Sequence, residues 1–258
     1  MKDIKIIIAT HKKYQMPKDK MYIPLQVGAA KNEDIGYLKD NTGDNISIKN
    51  PFFCELTGIY WAWKNLKCKY IGLAHYRRHF CLKRKSKNKF ENILTKEEAN
   101  KLLDKTDVIL PKKRYYIIEN LYSHYDHTMY IEPLDETGRI IREKYPEYYP
   151  YFEKLHKRTN AHMFNMFIMK KEIFDDYCNW LFDILFELEK RIEYDKYDAF
   201  HARFFGRISE LLLDIYIQKN KINYKEINFI YMEKINKVEK VKKFLRAKFK
   251  GEKYGKSF

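Results

Sequence analysis

Cysteine is scarce and unpatterned in this chain: Cys54, Cys68, Cys81 and Cys178 are the only four, and no two stand in a Cys-x-x-Cys pair. That points to neither a zinc knuckle nor a disulfide framework, and reduced thiols follow. Cys54 and Cys178 fall on apolar helical stretches as small hydrophobes, with Cys68 placed in a turn and Cys81 in a loop. Glycine signatures are missing as well. No Gly-x-Gly-x-x-Gly follows a strand, and there is no complete Walker-type motif and no Gly-x-Ser-x-Gly elbow, which argues against dinucleotide oxidoreduction, ATP hydrolysis and serine-hydrolase chemistry. Long apolar runs are absent too. Stretches such as Ile6 to Ala9 fall far short of the roughly 20 residues a spanning helix needs, and the amino terminus has no signal-type segment, so a cytoplasmic protein is expected.

Arginine is the scarce cation: of 51 basic residues 11 are arginine and 40 lysine, within a net charge of +16. Such a balance admits a nucleic-acid-binding protein, but no helix-turn-helix spacing, RNP-like aromatic motif or zinc signature supports one, and no nucleic-acid partner is expected. Much of the excess sits at the carboxyl end, where residues 237–258 carry nine basic side chains against Glu239 and Glu252. There Val238, Val241, Phe244, Leu245 and Phe249 share one helical face. The segment 235–258 is read as a basic amphipathic tail drawn to anionic lipids, with a solvated terminus as the alternative.

What is abundant is aromatic: 22 Tyr and 17 Phe in 258 residues, with 45% hydrophobic content, describe a folded domain, placed at 1–234. The densest stretch, NISIKNPFFCELTGIYWAWKNLKCKYIGLAHYRRHF, covers residues 45–80. Asn50 suits an N-cap and Pro51 a first helical position, and Phe52, Phe53, Leu56, Ile59, Tyr60 and Trp63 recur at helical spacing, so one continuous amphipathic helix is predicted. Tyr70 to Ala74 is apolar and too short for a helix, as in a strand covered on both faces, and it runs into His75-Tyr76-Arg77-Arg78. Ile4 to Ala9 likewise ends in Thr10-His11-Lys12-Lys13, and Val108 to Leu110 in Pro111-Lys112-Lys113-Arg114. Ligands of open α/β sheets sit beyond the carboxyl ends of strands. If the three strands are parallel neighbours, their basic ends converge on a phosphate or diphosphate that Arg77 or Arg78 grips bidentately. Taken singly, each is equally a solvated turn.

Residues 115–150, rich in Tyr and His and punctuated by Pro133, Gly138, Pro146 and Pro150, read as a loop-rich, substrate-facing insertion. Asn165 to Met169 is a further strand. Glu172 to Arg191 is a long helix, and Ala199 to Lys219 another, whose polar face aligns Arg203, Arg207, Glu210 and Asp214. The whole suits group transfer from a nucleotide-diphosphate donor.

Four segments, DNISIKNPFFCELTGIYWAWKN, YIGLAHYRRHF, HMFNMFIMKKEIFDDYCNWLF and ARFFGRISELLL, together resemble the bacterial polysaccharide-biosynthesis family catalogued as domain of unknown function 4422, over about residues 4–220. The resemblance implies an α/β, GT-A-like, Rossmann-related fold with a mixed, mostly parallel sheet flanked by helices. It also implies a glycosyltransferase for capsule, exopolysaccharide or lipopolysaccharide assembly. The donor would be a nucleotide sugar, a UDP-linked hexose such as galactose, and the acceptor a growing or polyprenyl-diphosphate-linked glycan. A non-catalytic scaffold of an assembly complex is the competing reading.

In many GT-A enzymes an Asp-x-Asp holds a divalent metal at the position where this chain has His75-Tyr76-Arg77. Without carboxylates there, no metal is expected and the arginines, with His11 or Lys12, neutralise the leaving diphosphate. The alternative is Mn²⁺ or Mg²⁺ held by Asp44, or by Asp126 with His127. Thr10, His11, Lys12, Asn45, Ser47, Lys49, His75, Tyr76, Arg77 and Arg78 are the donor-binding candidates; His127, Asn165 and Arg203 are those for the acceptor. By resemblance Glu210 is the general base, unless it is merely paired with Arg207 or Arg203, and Asp198 is the reserve.

Overall fold

The computed structural model describes residues 2–83, 86–116 and 118–233. The tail assigned to 235–258 lies outside them. The core is an eight-stranded sheet. Its first half is parallel: β3 (Leu38–Lys39), β2 (Tyr22–Gln26), β1 (Ile4–Thr10) and β4 (Tyr70–His75) lie side by side in that order. Its second half curls. β5 (Arg78–Cys81), β10 (Tyr224–Tyr231), β6 (Val108–Pro111) and β9 (Phe167–Lys170) follow, and β9 pairs back onto β4, closing five strands into a ring. β9 runs antiparallel to both β4 and β6, and β5 antiparallel to β10, so the sheet is mixed in equal measure rather than mostly parallel. The Val108 strand is therefore not a direct neighbour of β4; the antiparallel β9 separates them. A short pair, β7 (Arg114–Tyr115) and β8 (Asn160–Ala161), stands apart.

Strand burial explains the choice of residues. β1 and β4 bury Ile4, Ile6, Ile8, Ile71, Leu73 and Ala74 almost completely, because both faces are covered. Gly72 is needed where strands crowd: a Cβ there would come within 2.9 Å of the Phe167 carbonyl oxygen. Six of the helices cover the sheet and each other, α1 (Asn50–Phe53), α2 (Leu56–Asn65), α3 (Lys96–Leu103), α5 (Glu132–Lys144), α7 (Lys171–Arg191) and α8 (Phe204–Lys219). α2 packs on β1 and α7, with Trp63 and Phe182 stacked at 5.8 Å, and α1 meets α8 through Phe53 and Phe205 at 4.2 Å. Thr95 and Glu98 close a capping box at the start of α3, worth about 1 kcal/mol.

Four expectations change. The helix over 50–63 breaks at Cys54, whose φ of 53° and ψ of −130° no helix contains. Asn50 is not its N-cap but lies inside α1, donating its amide to the Cys54 carbonyl at 2.7 Å and to Thr57 Oγ1 at 3.1 Å. The stretch 115–150 is helical, containing α4 (Leu121–Thr128) and α5 and leading into α6 (Tyr149–Glu153), because Pro133, Pro146 and Pro150 start helical turns instead of breaking them. Cys81 lies in strand β5, not in a loop.

Candidate active site

The chain turns back at once after β4. His75 and Arg78 pair across a tight hairpin with Tyr76 and Arg77 at its tip, and Ala9 of β1 is in register with His75. The ends of β1 and β4 and the segment following β6 therefore open onto one cavity of about 510 Å³. Five of the 11 arginines line it, Arg77, Arg78, Arg114, Arg203 and Arg207, and among the described residues none of the far more numerous lysines does. A planar guanidinium can hold two oxygens of a phosphate or carboxylate at once, which an ammonium cannot.

Aromatic rings hold these cations in place. The Arg78 guanidinium lies 4.4 Å from the Phe164 ring centroid and 5.5 Å from that of Tyr231. Arg77 lies 5.3 Å from the Tyr76 ring and 3.8 Å from Glu233, while its carbonyl accepts from the Met232 N–H at 2.9 Å. His11 meets Tyr76 edge-on at 5.4 Å; burial first, then Arg77, Lys12 and Arg203, push its pKa down and leave it neutral at pH 7. His75 donates from Nε2 to the Phe164 carbonyl at 2.5 Å, and burial together with Arg78 and Arg77 outweighs the pull of Glu55 and lowers it too.

Two carboxyl groups face these cations, and their surroundings differ. Glu55, just after the Cys54 break, accepts a hydrogen bond from Asn165 Nδ2 at 2.8 Å. Burial works against its charge, but His75, the Asn165 amide and Arg207 prevail and hold it below the usual carboxylate range. Glu210, on α8, is 5% exposed, its Oε2 has no hydrogen-bond partner among the described residues, and Arg207 stands 3.9 Å away. Burial raises its pKa, Glu55 adds to the rise, and the arginines only partly offset it. Among the described residues no cluster of three or more His, Cys, Asp and Glu side chains could hold a metal ion.

The model of a family described as Domain of unknown function (DUF4422) matches residues 5–221. The chain belongs to the DUF4422 family. No curated protein matches this DUF4422 chain. A solved structure does: apo WbbM, a bifunctional glycosyltransferase, is 34% identical with a TM-score of 0.84, over 90% of this chain and 46% of that one. The DUF4422 chain thus spans about half the length of WbbM. The four motifs in which the family resemblance was read all lie in the matched region, and the fold is a mixed α/β one close to that of a glycosyltransferase.

Of the donor, acceptor and catalytic candidates named from the sequence, Thr10, His11, His75, Tyr76, Arg77, Arg78, Arg203 and Glu210 line the cavity of the DUF4422 domain. The others do not. Lys12 pairs with Glu233 at 3.6 Å and leans on the Tyr76 ring, and Lys49 pairs with Glu189. Asn45 bonds the Gly43 carbonyl and the Ser47 N–H. Ser47 is fully buried and donates to Asp40, which also accepts from Gly28 N, Ala29 N and Thr57 Oγ1 and so fixes the turn after β2. Asp198 caps the turn into α8 through Phe200 N, His201 N and His201 Nδ1. His127 is bound to Glu119 Oε1 at 2.7 Å, Asp44 takes the Tyr60 hydroxyl, and neither Asp44 nor Asp126 reaches the cavity. Asn165 sits before β9, not in it, and its amide serves Glu55 rather than the open space. Lys112 is exposed; Arg114, two residues on, takes the place foreseen for it.

Reading the sequence for apolar spacing missed Glu55, and it named Arg114 only as the last residue of a basic strand end. Glu55 carried a signal nonetheless, as one acid inside the apolar run NPFFCELTGIYW.

Among the described residues no helix is long and apolar enough to cross a membrane.

Proposed function

We propose that the DUF4422 domain transfers a hexose from a nucleotide-diphosphate donor to a glycan hydroxyl. The observation that carries this is the ring of arginines at the strand ends. Arg77 and Arg78 receive the donor diphosphate beside Thr10 and His11, and their charge stabilises the nucleoside diphosphate as it leaves, the part a divalent ion plays in metal-dependent transferases. Neutral His11 gains a proton as the anion arrives, or donates a hydrogen bond to it. Aromatic walls, Tyr76, Tyr116, Tyr125 and Phe200, offer flat faces to the base and sugar. The acceptor enters past Arg114, Arg203 and Arg207.

The likeness to WbbM supports the glycosyltransferase reading, and a GT-A-like mechanism in capsule, exopolysaccharide or lipopolysaccharide assembly is our extension of it. Our reading of the donor is UDP-linked, with galactose in pyranose or furanose form as the first sugar to try. The acceptor is a growing or polyprenyl-diphosphate-linked glycan. The basic segment 235–258 would bring the enzyme to the anionic inner face of the membrane; heparin retention lost on deleting residues 237–258 would favour that role.

A thermal-shift screen of nucleotide sugars, with and without Mn²⁺, tests the proposal, because a ligand that binds the folded state raises its melting temperature. UDP-hexoses should shift the protein without metal and be turned over when glycan acceptors are added. A protein shifted by none of them, and turning over none, would be a scaffold.

A further inference from the structure

The structure gives Glu55 more definition than any other carboxylate at the cavity. It lines the space with Oε1 fixed by the Asn165 amide. Asn165 is fixed in turn, its Nδ2 also donating to the Gly206 carbonyl at 3.1 Å and its Oδ1 accepting from Ser209 Oγ at 2.8 Å. Three elements thus converge on one side chain: the break between α1 and α2, the turn before β9, and α8.

Backbone strain gathers at the same point. Among the described residues four non-glycine positions have positive φ, Cys54, Phe164, Asn165 and Lys221, and the first three surround Glu55. Unfavourable conformations persist where the surrounding structure insists on a geometry, often at reaction centres. Gly206 completes the arrangement: a Cβ there would stand 3.9 Å from both Glu55 oxygens, so a bare backbone is what faces the carboxylate.

Resting on the glycosyl-transfer reading above, the geometry points to Glu55, not Glu210, as the catalytic base. The acceptor hydroxyl oxygen attacks C1 of the donor sugar while its proton passes to the Glu55 carboxylate. The new O–C1 bond forms as the C1–O bond to the diphosphate breaks, and that electron pair leaves on the diphosphate oxygen held by Arg77 and Arg78. The configuration at C1 inverts. His75, Arg78, Arg203, Arg207, Glu210 and the Cys54 thiol are the charged or titratable groups around Glu55, and their balance keeps it ionised. Glu210, with an oxygen lacking a partner among the described residues, faces the incoming substrate from α8.

The test compares Glu55→Gln and Glu210→Gln in the full chain, reading three quantities: melting-temperature shift by UDP, donor turnover with acceptor, and intact mass after incubation with donor. Glu55→Gln should keep the UDP shift and lose at least 100-fold in kcat, the range for removing a general base. Glu210→Gln, which retains a donor group, should lose less than 10-fold. The reverse order of loss overturns the assignment, as does wild-type kcat in Glu55→Gln, a Glu55→Gln protein that no longer folds or shifts with UDP, or a glycosyl adduct on Glu55. A wild-type protein that binds UDP but turns over no nucleotide sugar defeats the transferase reading itself, and the base with it.

Discussion

Asn165 Nδ2 donates to Glu55 Oε1 at 2.8 Å, across 110 residues of chain. The bond prefers the charged carboxylate. Asn165→Ala should therefore raise the pKa of Glu55, so that the acid limb of kcat moves to higher pH by about one unit, the size of one charge-assisted hydrogen bond. A pH–rate profile checks this; an unmoved limb with lower stability would make Asn165 purely structural.

Arg78 is wedged between Phe164 and Tyr231, whereas Arg77 is tied only loosely to Glu233. Replacing either by Gln should weaken UDP binding by roughly 10- to 100-fold, from about 1.5–3 kcal/mol per charged hydrogen-bonding group. Titration calorimetry gives the affinities. Arg77→Lys should recover little, since an ammonium cannot present two parallel donors.

Turnover should persist in excess EDTA and gain little from Mn²⁺. The arginines supply the positive charge, and the two carboxyl groups on the cavity, Glu55 and Glu210, are held by Asn165 and by burial. Strict Mn²⁺ dependence in the same assay would refute the arginine mechanism.

Acid should destabilise the fold well above the carboxylate range. His79 is completely buried, neither ring nitrogen has a hydrogen-bond partner among the described residues, and burial pushes its pKa down to about 3 from 6.5. The unfolded chain takes up that proton first, so the stability due to neutral His79 is full above pH 6.5 and is lost as pH falls towards 3. His124, lowered to about 4, acts in the same direction. Each contributes a slope of at most about 1.4 kcal/mol per pH unit. Urea midpoints between pH 7 and pH 4 should show it, and His79→Phe should make the decline shallower.

Asp40 should matter to stability more than any candidate donor contact near it. Its carboxylate gathers Gly28 N, Ala29 N, Ser47 Oγ and Thr57 Oγ1 in the interior. Asp40→Ala should cost roughly 3–5 kcal/mol in a denaturant titration, and Ser47→Ala about 1–2, with UDP affinity in the latter unchanged. A Ser47→Ala protein of normal stability that fails to bind UDP would return Ser47 to the donor site.

Much of this site was legible because apolar runs and basic strand ends are local signals. Tyr70 to Ala74, the long helix after Lys170 and the one ending at Lys219 declare themselves by period alone. The break at Cys54 does not: apolar spacing continues through it, and only the contacts of Asn50 and Arg203 with Cys54 show why the chain departs from helix there. Prolines misled for a related reason, since Pro at a helix start and Pro as a breaker look the same without the neighbouring cap. Glu55 and Asn165 were opaque as a pair, because their relation exists only once β9 has folded against β4.

The closure of β9 onto β4 reaches beyond the cavity. With five strands joined in a circle, every described strand of the large sheet except β3 has at least two neighbours, β4 has three, and β3 is two residues long. Among the described residues the open edge of this sheet is confined to β3 and the first half of β2, so accretion of foreign strands into β-aggregates is blunted by topology.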